Sequence, residues 1–195
     1  MTIKDARVYG LDYSFKASKY PMATHTDDCS YMFTDRIKML GAAKIGSGHD
    51  NFLNGIIVQF DLTFSQKAWV ELQRYHFIDF VSSQSTMHRI DRFDLNGHMN
   101  GYVDGAIKSR LQELVDAYRA DKSRDNFLKV IYNIPSGFEL TARMTTNYRQ
   151  LKTIYFQRKT HRLPEWREFC AWIEALPYMR EFLGLDNDEK NEEDE

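Results

Sequence analysis

Within Asn133–Arg162 the apolar residues change period with no linker between the two patterns. After Pro135, the residues Phe138, Leu140, Ala142 and Met144 alternate with Glu139, Thr141, Arg143 and Thr145. Period two of this kind predicts a strand with one buried face. Asn147 then reads as a helix N-cap: its side-chain oxygen can accept from a first-turn N–H, and Gln150 can reach back as in a capping box. Leu151, Ile154, Tyr155 and Arg158 follow at spacings of three and four. A helix therefore begins at once, and Arg158 shares the stripe that Leu151 and Ile154 bury.

An arginine on that stripe calls for an anionic or polar partner. Asn147 and Arg158 lie eleven residues apart, roughly 16 Å along an α-helix, so one ligand group can sit at each end. The capped N-terminus, with its N–H groups and positive dipole end, suits a phosphate or pyrophosphate. Arg158 can offer a fork to a carbonyl, a carboxylate or a second phosphate. On the alternative reading, Asn147 only caps and Arg158 lies along apolar surface.

A second block runs from Gly46 to Arg89. Gly46 and Gly48 mark a turn. Ile56, Val58, Phe60, Leu62 and Phe64 alternate as a half-buried strand, and Ser65 can cap a helix carrying Trp69, Leu72, His76 and Phe80. On that helix His76 reads either as a ligand contact or as a satisfied core histidine. Ser82, Ser83 and Ser85 with Thr86 read as a polar loop or helix end. His88 and Arg89 form either a phosphate contact or a solvated pair.

Taken together, the two blocks resemble the flavin-dependent thymidylate synthases of the ThyX type. The stretch from Pro135 to Arg158, with N-x-R at Asn147 and Arg149 and the later Arg158, is similar without a gap to the C-terminal half of that family. Gly48 and His49, followed by a strand and then a helix, resemble the family's G-H and the elements after it. The resemblance implies that His49, Asn147 and Arg149 bind flavin, and that Arg158 contacts the nucleotide base and acts in catalysis. Counted without a gap, Arg74, Tyr75 and His76 fall on the family's R-H-R, so only the first arginine is kept. A one-residue insertion would instead set His76 on the central histidine. Arg74 and His76 are thus cofactor-binding candidates. The family's E-x-S-x-R tail has a partial echo without its glutamate, which implies that Ser83, Gln84, Ser85 and Arg89 bind substrate. Ile131 stands where the family has an arginine before the proline.

The resemblance further implies an α+β ThyX-like fold, a mixed or antiparallel sheet packed with helices. It implies FAD as cofactor, methylenetetrahydrofolate and NADPH as co-substrates, and a dUMP-type pyrimidine deoxynucleotide. A homotetramer with flavin sites between subunits is also implied. In this chemistry the protein positions the partners and stabilises charge developing on the pyrimidine. An altered arginine set is compatible with dCMP or with hydroxymethylation. The alternative is a non-catalytic flavin- or nucleotide-binding homologue with a regulatory or structural role.

The chain has 195 residues, enough for one domain over residues 1–185 followed by an acidic tail over residues 186–195, which composition reads as disordered. Hydrophobic residues at 43% and aromatics at 14% favour a packed core, and a net charge of −2 gives no footprint for general nucleic-acid binding. Cys29 and Cys170 are far apart, so neither a disulfide framework nor a metal site is indicated. No stretch approaches the ~20 apolar residues of a membrane span, and no leader pattern is seen, which reads as a cytoplasmic protein without a membrane partner. Elsewhere a first strand is expected over Ala6–Phe15 and a short helix over Asp35–Ala43. An amphipathic helix is expected over Gly101–Asp121, an exposed turn over Asp121–Asp125, and a final helix over Pro164–Phe182 that packs in the core. No repeat, P-loop, G-x-S-x-G or H-E-x-x-H occurs.

Overall fold

Strict alternation from Ile56 to Phe64 puts Val58, Phe60, Leu62 and Phe64 on one face, and all four are fully buried. In the computed structural model, which describes residues 1–185, they lie on the second of four strands. The strands are β1 (Thr2–Tyr9), β2 (Ile57–Ser65), β3 (Ile78–Ser83) and β4 (Glu139–Asn147), joined in one sheet in the order β1-β2-β4-β3. The helices are α1 (Leu11–Ala17), α2 (Asp35–Ala42), α3 (Gln66–Leu72), α4 (Thr86–Arg89), α5 (Gly105–Ala120), α6 (Arg124–Ile131), α7 (Tyr148–Arg158), α8 (Pro164–Glu174) and α9 (Met179–Leu183). The acidic tail expected over residues 186–195 lies outside the described residues.

Two compact units divide the chain. The first comprises residues 1–4, 61–75 and 80–143, the second, among the described residues, 5–60, 76–79 and 144–185. In the first unit Thr63 Oγ1 meets Thr141 Oγ1 at 2.8 Å, and Arg143 pairs with Asp61 at 3.2 Å. Both pairs number to the same sum, as antiparallel β2 and β4 require. The core of this unit gathers Leu111, Leu114 and Val115 of α5 with Val130 of α6, Ile90 and Phe138. In the second unit Tyr148 N donates to Ile56 O at 3.0 Å, in the same register. Here α2 packs on α9 and α7 on α8, with Phe60 against Trp172 at 4.6 Å.

Several sequence expectations hold. Asn147 caps α7 by accepting from Gln150 N at 2.8 Å, Ser65 caps α3, and Gly46 and Gly48 adopt φ of 89° and 80°. The helix expected over Asp35–Ala43 is α2, and the amphipathic helix over Gly101–Asp121 is the shorter α5, capped by Asp104.

Other expectations are corrected. The first strand ends at Tyr9, and Leu11–Phe15 belong to α1. Gly10, at φ 79°, turns the chain there and approaches so closely that an added Cβ would lie 2.6 Å from Gly55 O. The helix expected to carry His76 and Phe80 stops at Leu72, and Ile78–Ser83 form β3. The ladder wins over the i+4 spacing: Gln84 N donates to Thr141 O, and Gln84 Oε1 accepts from Thr141 N, each at 2.9 Å. The single final helix is two, because Pro177 cannot continue α8 and Tyr178 takes φ 59° before α9. Helix α6, capped by Ser123, was not anticipated.

Candidate functional site

In the second unit the site is built at the N-terminal end of α7. Lys152 stands four residues after Tyr148 and three before Tyr155, both buried, so helical geometry turns its side chain inward. The residue is 1% exposed. Its ammonium donates to Gly41 O and Ala43 O, each at 2.6 Å, and to Asp50 Oδ2 at 3.4 Å. All three ammonium protons thus have acceptors. Burial pulls the Lys152 pKa below 10.5, opposed by the attraction of Asp50.

Asp50 is fully buried, and it completes this clamp. Arg149 Nε stands 3.3 Å from Asp50 Oδ1, yet that oxygen accepts no hydrogen bond among the described residues. The Arg149 side chain is 32% exposed, which leaves its guanidinium partly open to a ligand. Two cations therefore surround one carboxylate, next to the positive end of a helix dipole. His49 precedes Asp50 directly and is exposed. Lys152 thus fixes Ala43 and Asp50, the two ends of the segment that carries both positive-φ glycines and His49. The first-turn donors are not all available: Tyr148 N is bound to Ile56 O and Gln150 N to Asn147 Oδ1.

Arg158 sits at the opposite end of α7. Its guanidinium carbon lies 4.6 Å from the Trp166 ring centroid, a cation–π contact. The half-buried side chain thus lies against an aromatic face, and its position in the last turn complements the helix dipole. Nearby Cys170 of α8 is buried, and desolvation pushes its thiol up to about 12.

The first unit holds the remaining substrate candidates around two cavities. One, of about 360 Å³, is lined by Gln84, Ser85, Arg89, Arg92, Asp94 and His98 together with Phe93. No acceptor among the described residues engages the Arg89 or Arg92 guanidinium. His98 Nδ1 lies 2.9 Å from Glu139 O. A carbonyl can only accept, so His98 Nδ1 is the donor in this contact. The other cavity, of about 270 Å³, includes Ser83, Gln84, Trp69, Phe80, Gln66 and Gln73 in its lining, and no charged side chain lines it. Trp69 and Phe80 stand with centroids 5.0 Å apart, and Trp69 Nε1 donates to Leu140 O at 3.1 Å.

The structure thus brings Asn147 and Arg149 together, joined to His49 through Asp50, and it gathers Gln84, Ser85 and Arg89 in one cavity that Ser83 does not line. Arg158 is apart from Asn147 and Arg149. Arg74 is exposed in the turn after α3, and His76 is exposed before β3, so the core reading of His76 does not hold. Sequence reasoning missed Asp50, Lys152, Arg92 and His98. The spacing of Tyr148, Lys152 and Tyr155 carried the signal for Lys152, and Asp50 follows the singled-out His49.

No protein-family model matches the sequence, and no curated protein matches it. The fold is similar to two crystal structures of the flavin-dependent thymidylate synthase ThyX from Helicobacter pylori, each in complex with FAD and dUMP. For each the TM-score is 0.71 and the identity 15%, over 94% of this chain and 97% of that one. The chain therefore has a ThyX-like α+β fold.

Proposed function

We propose that this chain is a flavin-dependent transferase that moves one carbon, as methyl or hydroxymethyl, from a folate to C5 of a pyrimidine deoxynucleotide. The observation that carries the reading is the cationic cluster at the N-terminus of α7, in a fold similar to that of an enzyme crystallised with FAD and dUMP. The residues fit the flavin. Arg149, partly exposed, and Lys152 outnumber the one carboxylate between them, so the cluster is net positive for a diphosphate. When bound, FAD supplies the reducing electrons, drawn from NADPH, and methylenetetrahydrofolate supplies the carbon.

This chain's residues bind and orient. Arg149 and the capped end of α7 attract the diphosphate, while His49 is presented by a segment whose ends Lys152 fixes. In the first unit Arg89 and Ser85 are suited to receive a phosphate group, and in the second Arg158 is suited to stabilise negative charge on a base. Arg74 and His76, both exposed, remain available to the cofactor. The site is shared between subunits of a homotetramer in a cytoplasmic protein.

The second reading is a non-catalytic flavin- or nucleotide-binding homologue. It is favoured by the chain's Tyr75 and His76 at positions where the R-H-R signature has its histidine and second arginine. The visible spectrum of the purified protein, before and after addition of FAD with dUMP or dCMP, separates the two. A bound flavin whose spectrum responds to one nucleotide supports the transferase and names its substrate. Binding without turnover in the presence of folate and NADPH supports the homologue, and no flavin under any condition refutes both flavin readings.

A further inference from the structure

We propose that Thr146 is a positioning residue whose hydroxyl latches the His76–Phe77 turn in a left-handed conformation, and that the Phe77 ring so presented stacks on a planar ring of the diphosphate ligand held at the start of α7. The observation that carries this is backbone strain without packing to account for it. Among the described residues three other than glycine take positive φ: Asp5 at 48°, Tyr178 at 59° and Phe77 at 60°. Aspartate tolerates that region because its short polar side chain can bond locally. The ring of Tyr178 stacks on Phe33 at 4.6 Å and meets Phe15 edge-on at 5.2 Å, contacts that offset its strain. Phe77 has neither account, since it is bulky and 69% exposed. A turn by itself forms with less strain at Gly or Asn. Strain kept at an exposed aromatic residue points to a ring used by something outside the chain.

The turn is held on both sides of Phe77. Thr146 Oγ1 donates to Phe77 O at 2.7 Å, and Thr146 is 4% exposed, so water competes little for that bond. Ile78, the next residue, is buried at the start of β3. Thr146 directly precedes Asn147, the cap of α7, and Arg149 follows with its Nε 3.3 Å from Asp50 Oδ1. The anchor of the exposed ring and the partly open cation thus stand on one short segment, and Phe77, Thr146 and Arg149 all belong to the second unit. A bare diphosphate uses only the cation and the end of the helix. A planar ring tethered to a diphosphate uses Phe77 as well. The adenine and the isoalloxazine of FAD share that chemistry, and the inference rests on the flavin reading for this choice of ligand. Neither Thr146 nor Phe77 belongs to a motif singled out in the sequence.

Calorimetric titration of the full chain, dialysed free of flavin, with FAD, ADP and inorganic pyrophosphate tests the contact, and urea unfolding of the same variants tests the strain. Phe77→Ala removes the ring but keeps a Cβ at positive φ, whereas Phe77→Gly removes both. Each weakens FAD about tenfold, as loss of a stacking platform does, and leaves pyrophosphate unchanged. The glycine variant unfolds at higher urea than the alanine variant, because it alone is free of strain. Thr146→Val keeps the shape, loses the hydroxyl and weakens FAD severalfold, while Thr146→Ser keeps the hydroxyl and binds as the wild type does. A Thr146 that is only structural lowers the urea midpoint as valine without moving the FAD affinity. ADP weakened together with FAD names adenine as the stacked ring, and ADP unchanged names the isoalloxazine. The inference is overturned if Phe77→Ala or Thr146→Val leaves the ring-bearing ligand unaffected, or if the glycine variant is no more stable than the alanine variant. FAD binding indifferent to these variants refutes only this inference. ADP binding sensitive to them, with no FAD binding, retains it and refutes the flavin reading, and a chain that binds neither overturns both.

Discussion

Lys152→Met asks whether the buried ammonium holds residues 43–50 to α7. Methionine keeps similar length and volume, so packing changes little. The substitution removes the donor to Gly41 O and Ala43 O and one of the two cations beside a fully buried Asp50. Removing one member of a buried ion pair costs about 3–5 kcal/mol where the other charge is left uncompensated; Arg149, 3.3 Å from Asp50 Oδ1, offsets part of that here, so this range is the upper bound. For a chain of this size about 3–5 kcal/mol corresponds to a Tm lowered by roughly 6–20 °C, at ~2–4 °C per kcal/mol. Urea unfolding followed by far-UV circular dichroism reads the loss. Asp50→Asn combined with Lys152→Met removes the stranded charge and regains about half of it. A single-variant loss under about 1 kcal/mol, or a double variant no more stable than the single, would refute the argument.

The same ammonium has a pH signature. Its folded pKa lies below the unfolded 10.5 because burial disfavours the charged form. Between those two values the unfolded chain binds more protons, so stability rises with pH across the window, and below it the penalty is present in full. Lys152→Met lacks that rise, which paired urea titrations across alkaline pH reveal.

Arg149→Ala lowers the flavin content of purified protein severalfold with an unchanged circular dichroism spectrum; a loss of folding instead makes Arg149 structural. Arg158→Ala weakens nucleotide binding by about 2 kcal/mol where its contact is charge-assisted, and an unchanged calorimetric affinity removes that role. Cys170 resists thiol reagents in the native protein while half-buried Cys29 reacts, and both titrate after denaturation. The Cys170 pKa is raised from 9.0 to about 12, so its contribution to stability is full below 9.0 and lost as pH climbs through about 12. Gly41→Ala places a Cβ 2.1 Å from Phe182 Cδ1, and the displaced ring costs about 1–3 kcal/mol in urea unfolding.

How far the fold was legible depended on where its determinants sit. The β4–Asn147–α7 passage was readable because period, cap and burial all lie within one stretch. β3 was not, since His76 and Phe80 at a spacing of four imitate a helix, and only pairing of Gln84 with Thr141 decides otherwise. The same division runs through the site. Asn147, Arg149, Ser85 and Arg89 sit in local motifs. Asp50 and Lys152 are charged residues in a core, and their burial makes sense only once the carbonyls of Gly41 and Ala43 are folded against them. Arg92 and His98 line their cavity through a loop whose register the Met99–Phe138 bridge sets, a contact between residues distant in sequence.

A buried lysine–aspartate pair is weak evidence for stability, because desolvation offsets most of the attraction. What the pair does here is specify one conformation. Gly46 and Gly48 give the segment between Ala43 and Asp50 wide backbone freedom, and Lys152 holds both ends at once. Asp50 in turn stands at Arg149 Nε, so clamp and ligand-facing cation are joined through one carboxylate. If that is its role, stability and ligand retention separate in the double variant. Asp50→Asn with Lys152→Met recovers part of the lost stability yet still retains flavin poorly, because neither the His49 segment nor Arg149 is oriented. Recovery of both together would reduce the pair to a structural contact with no part in positioning the site.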